Sequence, residues 1–106
     1  MHSSTQTTES AAWPEGVIAR YLTVAGSSLA REDLAVDVET QTTLDYGDPY
    51  STRSTCRVCA DGHEWDYGLY RNYRDQSARA RASQDEARAW AQAHAESCRA
   101  LPRPTA

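Results

Sequence analysis

Two short pairs of residues constrain this chain more than any other feature. Cys56 and Cys59 form a Cys-x2-Cys pair, His94 and Cys98 form a His-x3-Cys pair, and together they hold all three cysteines of the 106 residues. The residue types, and the spacing within each pair, are those of a four-ligand structural zinc site. Tetrahedral zinc needs four nitrogen or sulfur donors at ~2.0–2.3 Å. A Cys-x2-Cys turn converges two thiolates on one point, and residues four apart on a helix share a face one turn apart. The expected ligands are Cys56, Cys59, His94 and Cys98, with Zn2+ as cofactor. The pairs are 34 residues apart, where a short finger has ~12, so further structure must fold between them.

Composition explains why such a staple is needed. The chain has no Phe, one Ile, five Val and six Leu, well below the ~20% at which disorder becomes a serious alternative. Three Trp and six Tyr add apolar area, roughly 150–250 Å² for each large aromatic buried. A core this thin in a chain this short calls for a metal or disulfides. The odd cysteine count argues against a secreted disulfide scaffold. Residues 1–12 lack the basic start and apolar run of a signal peptide, and no stretch approaches the ~20 apolar residues of a membrane span. The expectation is a cytoplasmic protein with reduced thiols.

The formal charge of −4 is unevenly spread: residues 1–52 carry two Arg and eight acids, residues 53–106 nine Arg and seven acids, and there is no Lys. Residues 1–12 are polar and read as a flexible tail. From Val17 to Val24 the chain is strand-like, with Ile18, Leu22 and Val24 on one face and Val17, Ala19 and Tyr21 on the other. Gly26-Ser27-Ser28 reads as a break. Leu34, Val36 and Val38 alternate with Ala35, Asp37 and Glu39, predicting a strand with one wet face that runs to Leu44. Asp45 to Thr52 reads as a loop, and a third strand is expected over 53–58. After the Asp61-Gly62 turn, Trp65, Tyr67 and Leu69 mark the apolar face of a fourth strand. Residues 72–82 could be loop or a frayed helical turn. Ser83-Gln84-Asp85-Glu86 fits a capping box that starts a helix, which runs to about Ala100 and stops before Pro102. Ala87, Trp90, Ala91, His94, Cys98 and Leu101 form its apolar stripe.

Rival chemistries are visible. Cys56 and Cys59 could be a redox pair, but such thiols gain acidity at a helix N-terminus, and Cys59 leads into a turn. His63 could replace His94 as a ligand. Glu64 could be imagined as a general base, though four protein donors leave no open metal position for water. No Ser-His-Asp set, phosphate-cradling glycine loop or His-Glu-x-x-His helix is present, so the chain reads as non-enzymatic. Residues 67–81 interleave rings and guanidiniums. Tyr70, Arg71, Tyr73, Arg74, Arg79 and Arg81 are the candidate nucleic-acid contacts, by stacking on bases and neutralising phosphates. The acidic whole and the acidic helix start oppose that reading.

The segments Trp13-Pro14-Glu15-Gly16-Val17-Ile18-Ala19-Arg20-Tyr21-Leu22, the Cys56/Cys59 knuckle and Trp90-Ala91-Gln92-Ala93-His94-Ala95-Glu96-Ser97-Cys98-Arg99 carry a resemblance. Over about residues 13–103 the chain resembles a group of small actinobacterial and phage-borne zinc-finger-like proteins. The resemblance implies zinc at the four matching positions and says nothing of an activity; the Arg-rich stretch before Ser83 departs from the group.

The sequence thus predicts an α+β fold. It would have a small antiparallel sheet of three or four strands, one C-terminal helix and a zinc-finger or treble-clef-like site, in a single domain over 13–103 with tails at 1–12 and 104–106. The expected function is a zinc-binding, non-enzymatic adaptor or regulatory module that binds another protein. The alternative is a nucleic-acid-binding zinc finger protein using stretch 67–81.

Overall fold

The computed structural model describes residues 13–68 and 76–102. Strands β1 (Val17–Leu22), β2 (Ala35–Thr42), β3 (Pro49–Cys56) and β4 (Gly62–Asp66) form one antiparallel sheet in the order β1-β2-β3-β4. A short helix α1 (Val24–Leu29) joins β1 to β2, and a long helix α2 (Gln76–Ser97) lies on one face of the sheet, mainly on β3 and β2. The fold is α+β, a four-stranded antiparallel sheet with a C-terminal helix, as the hydrophobic periodicities predict. No helix among the described residues is long and apolar enough to cross a membrane.

The seam between α2 and the sheet is built from small residues. Ser83, Ala87, Ala91 and Ala95 are buried on α2 at four-residue intervals, so they line one helix face. Opposite them lie Val36, Val38 and Cys56, with Trp65, Trp90 and Tyr21 packed at the margins. Polar pairs fill the rest. The Ser54 hydroxyl donates to the Ala87 carbonyl at 2.8 Å. The Ser83 hydroxyl donates to the Trp65 carbonyl at 2.6 Å and pairs with the Thr52 hydroxyl at 2.9 Å. Ser83 is therefore an interior helix residue that clamps α2 to two strands, not the N-cap that the capping-box pattern predicts. The helix already spans residues 76–82. It ends at Ser97 rather than near Ala100, and Leu101 is 74% exposed rather than on the buried stripe.

Other boundaries shift for local reasons. Gly26-Ser27-Ser28 lies inside α1: the Thr23 side chain caps it by accepting from Gly26 N–H at 3.1 Å and donates to the Leu34 carbonyl at 2.9 Å. A Cβ at position 26 would collide with that same carbonyl, so glycine is there for close approach. Val24 opens α1 and does not extend β1. A bulge between Val17 and Ala19 turns Ile18, Ala19 and Tyr21 all toward the core, where strict alternation would separate them. β3 starts at Pro49, a residue suited to a strand's first position, so the loop is shorter than 45–52. Leu69, the remainder of the ambiguous stretch at 72–75, and the tails lie outside the described residues.

The face of the sheet away from α2 is ion-paired. Asp37, read as a wet-face residue, is 4% exposed and accepts from Arg20 Nε at 2.6 Å and Nη2 at 3.0 Å, with Arg57 Nη1 at 3.4 Å. The Asp37 hydrogen bond holds the Arg20 proton more tightly than usual, against the desolvation that opposes it. Ala35 is buried as well.

Candidate metal centre

Cys56 is the last residue of β3, in register with Val36 on the central strand β2. The chain then turns tightly. Cys56 N–H donates to the Asp61 carbonyl at 2.8 Å, Ala60 N–H to the Cys56 carbonyl at 2.9 Å, and Arg57 N–H to the Ala35 carbonyl at 2.9 Å. Ala60 takes φ 71°, a left-handed position that favours glycine. The turn aims the backbone N–H groups of Cys59 and Val58 at the Cys56 sulfur, which favours a thiolate. Burial acts against them and dominates, so the Cys56 thiol is pushed up to about 11. Nearby Cys59 pushes the same way.

The second pair comes from the end of α2. His94 sits in the last turn, and Cys98, one residue past the helix, is held by its N–H donating to the His94 carbonyl at 2.7 Å. The His94 ring stacks on Trp90 with centroids 4.8 Å apart and planes 9° apart. Its Nε2 lies 3.3 Å from Cys59 Sγ, and its Nδ1 lies 4.0 Å from Asp61 Oδ2. Nε2 thus faces the thiols, while the Asp61 carboxylate lies on the Nδ1 side, beyond direct hydrogen-bond distance. A tautomer protonated on Nδ1 leaves the Nε2 lone pair facing the cysteines.

The donor atoms of Cys56, Cys59, His94 and Cys98 all lie within 4.8 Å of one another. All three cysteines are free; Cys56 is buried, Cys98 half-buried and Cys59 exposed. Ligand bonds of ~2.0–2.3 Å in a tetrahedron set donors roughly 3.3–3.8 Å apart. The 3.3 Å separation between Cys59 and His94 meets that requirement, and the widest needs a contraction of about 1 Å. Three sulfurs and one imidazole nitrogen make a Cys3His cluster that could hold a metal ion.

The rival placements separate. His63 is exposed, its ring tilted against Trp65 with centroids 4.5 Å apart; it is outside the cluster and does not replace His94. Glu64 accepts from the Ser51 hydroxyl at 2.7 Å and pairs with Arg53 at 3.6 Å, tying adjacent strands. The Cys56/Cys59 turn joins two strands and opens no helix, the place where a reactive redox thiol gains its acidity. Of the basic stretch, Tyr70, Arg71, Tyr73 and Arg74 lie outside the described residues. Arg79 is half-buried, with Nη1 3.5 Å from the Tyr67 carbonyl, while Arg81 is exposed on α2.

Comparison with protein-family models, curated proteins and solved structures finds no match to this chain. Two contributors to the site are missed in the sequence. Asp61 reads only as a turn former, and the stacking role of Trp90 is hidden in its stripe. The spacing of Trp90 and His94, four residues apart on one helix, carries a signal for the second. Nothing local signals the first, because the meeting of Asp61 with His94 depends on the sheet.

Proposed function

We propose that this chain is a zinc-stabilised, non-enzymatic module that binds another protein. The observation that carries the metal part is the convergence of three sulfur donors and one imidazole nitrogen, from the end of β3 with the turn that follows it and from the end of α2, within 4.8 Å. Thiolates and imidazole in tetrahedral number suit zinc. When bound, zinc would tie the two ends together and supply folding energy that the small-residue seam lacks. Cys56, Cys59, His94 and Cys98 would hold it, and Asp61 would orient the His94 ring from outside.

Four protein donors leave no coordination position for a substrate or water, which supports a structural ion. Among the described residues of the ion-paired outer sheet face, the one carboxylate that a serine hydroxyl meets, Glu64, is also paired with Arg53 and ties adjacent strands. Those features favour binding over catalysis. Native mass spectrometry of the purified chain tests the metal part: one zinc per chain is expected, with the near-UV circular dichroism of the tryptophans lost on chelation. A chain that carries no metal, or keeps its tertiary signal after chelation, overturns it.

A further inference from the structure

The connection between β2 and β3 presents the two most exposed large apolar side chains among the described residues. Leu44 is 102% exposed and Tyr46 is 85% exposed. Neither contributes to the core, so the fold does not explain them. The loop that carries them is nonetheless tightly specified. Thr43 N–H donates to the Asp48 carbonyl at 2.9 Å, Gly47 N–H to the Thr43 carbonyl at 3.0 Å, and Asp48 N–H to the Thr43 hydroxyl at 3.2 Å. Gly47 takes φ 70°, a conformation that glycine adopts without strain. The bonds set one shape and present Leu44 and Tyr46 outward on it.

Ordering a loop in advance lowers the cost of binding, and tyrosine is among the residues that dominate binding energy at interfaces. The rim is acidic. Asp45 lies between the two apolar residues, Asp48 closes the loop, and Asp66 shares with Leu44 and Tyr50 a shallow cleft at its base. We propose that this hairpin tip docks into an apolar pocket of a protein partner whose rim carries Lys or Arg. The proposal rests on the reading of the chain as a protein-binding module and names the surface that does the binding. Two other occupants fit less well. Anionic lipid headgroups are repelled by Asp45 and Asp48, and a symmetric contact between two copies would set those acids against themselves.

The tip and the metal cluster lie at opposite ends of β3, roughly 23 Å apart at ~3.3 Å per residue, so tip variants leave the metal ligands untouched. The experiment places a photo-crosslinking amino acid, one position at a time, at 44, 46, 29 and 101 of the zinc-loaded chain, in the cells that make it. The protein captured from 44 and 46 is then purified and titrated directly. Its affinity should fall about 30-fold or more for Leu44→Ser/Tyr46→Ser. For Asp45→Asn/Asp48→Asn it should fall several-fold and become less salt-dependent. Both variants should keep the wild-type zinc content and thermal midpoint. Capture from 29 or 101 but not from the tip overturns the docking site and leaves the binding-module reading standing; capture from no position overturns both. Two further results also overturn it: tip-dependent flotation with phosphatidylglycerol vesicles, and a dimer in sedimentation velocity that the tip variants abolish.

Discussion

Removing the metal should remove the fold, and the seam shows why. Its fully buried apolar side chains are Val36, Val38, Cys56, Ala87, Ala91 and Ala95. At roughly 1.5–3 kcal/mol for a buried valine and about 0.8 kcal/mol for a methyl group, the two valines and three alanines contribute about 5–8 kcal/mol. Structural zinc contributes ~10–16 kcal/mol in small domains, comparable with or above the whole net stability of a typical domain at ~5–15 kcal/mol. The chelated protein should therefore show no cooperative thermal transition by near-UV circular dichroism. Cys98→Ser removes one donor of four. Even a 100-fold loss of affinity, the upper end for losing an outer partner of a ligand, is about 2.7 kcal/mol. At 4–8 °C per kcal/mol for a domain near this size, the zinc-saturated midpoint should fall by at least ~11 °C. A chelated protein that melts like the untreated one, or a Cys98→Ser midpoint within about 3 °C of wild type, would refute the reasoning.

Asp61→Ala should weaken zinc binding about 10-fold, because the outer partner of His94 is lost; competition with a chromophoric chelator measures this, and unchanged affinity refutes the role. Ala60→Gly should raise the thermal midpoint by a few degrees, roughly 0.5–1 kcal/mol, since relief of the φ 71° backbone outweighs the extra freedom of an unfolded glycine; a lower midpoint contradicts it. The Cys56 thiol, pushed up to about 11 by burial, keeps its proton at neutral pH, and the metal must displace it. Zinc affinity should fall at least ~10-fold per unit as pH drops from 8 to 6. Metal-dependent stability is then present at the upper end of this window and lost toward the lower. Calorimetry in buffers of different ionisation enthalpy should find at least one proton released per zinc, and release of none contradicts this.

The strand alternation at 34–38 and the His94/Cys98 spacing made the sheet, the C-terminal helix and the cluster legible in the sequence, while the fourth strand, read from Trp65, Tyr67 and Leu69, lies earlier, at Gly62–Asp66. These are periodic or local signals. Non-local choices were hidden. Ser83-Gln84-Asp85-Glu86 has the residues of a capping box, but the hydroxyl of Ser83 finds Trp65 and Thr52 across the seam, and α2 begins seven residues earlier. Gly26 reads as a breaker because glycine signals flexibility locally, yet here it admits the Leu34 carbonyl. Asp37 reads as solvated because aspartate is charged. Its burial is legible only once β1 and the knuckle deliver Arg20 and Arg57 to it.

That buried carboxylate links the metal turn to the far edge of the sheet. Asp37 takes a bidentate pair from Arg20 on β1 and a longer contact from Arg57, the residue after Cys56. Arg57 is half-exposed and its share is screened by solvent, whereas the Arg20 side chain is only 11% exposed. Asp37→Ala would strand the Arg20 charge out of water, at a cost of ~3–5 kcal/mol, or a fall of at least 12 °C in the zinc-loaded midpoint. Replacing both partners with apolar residues of similar size, Arg20→Met with Asp37→Leu, should recover most of that loss, because a buried ion pair itself adds little net stability. The two variants together separate an uncompensated charge from a general packing defect. If Asp37→Ala costs no more than ~1 kcal/mol, the pair behaves as a surface salt bridge. If the double variant is no better than the single one, the loss lies in packing around Asp37 and not in the stranded guanidinium.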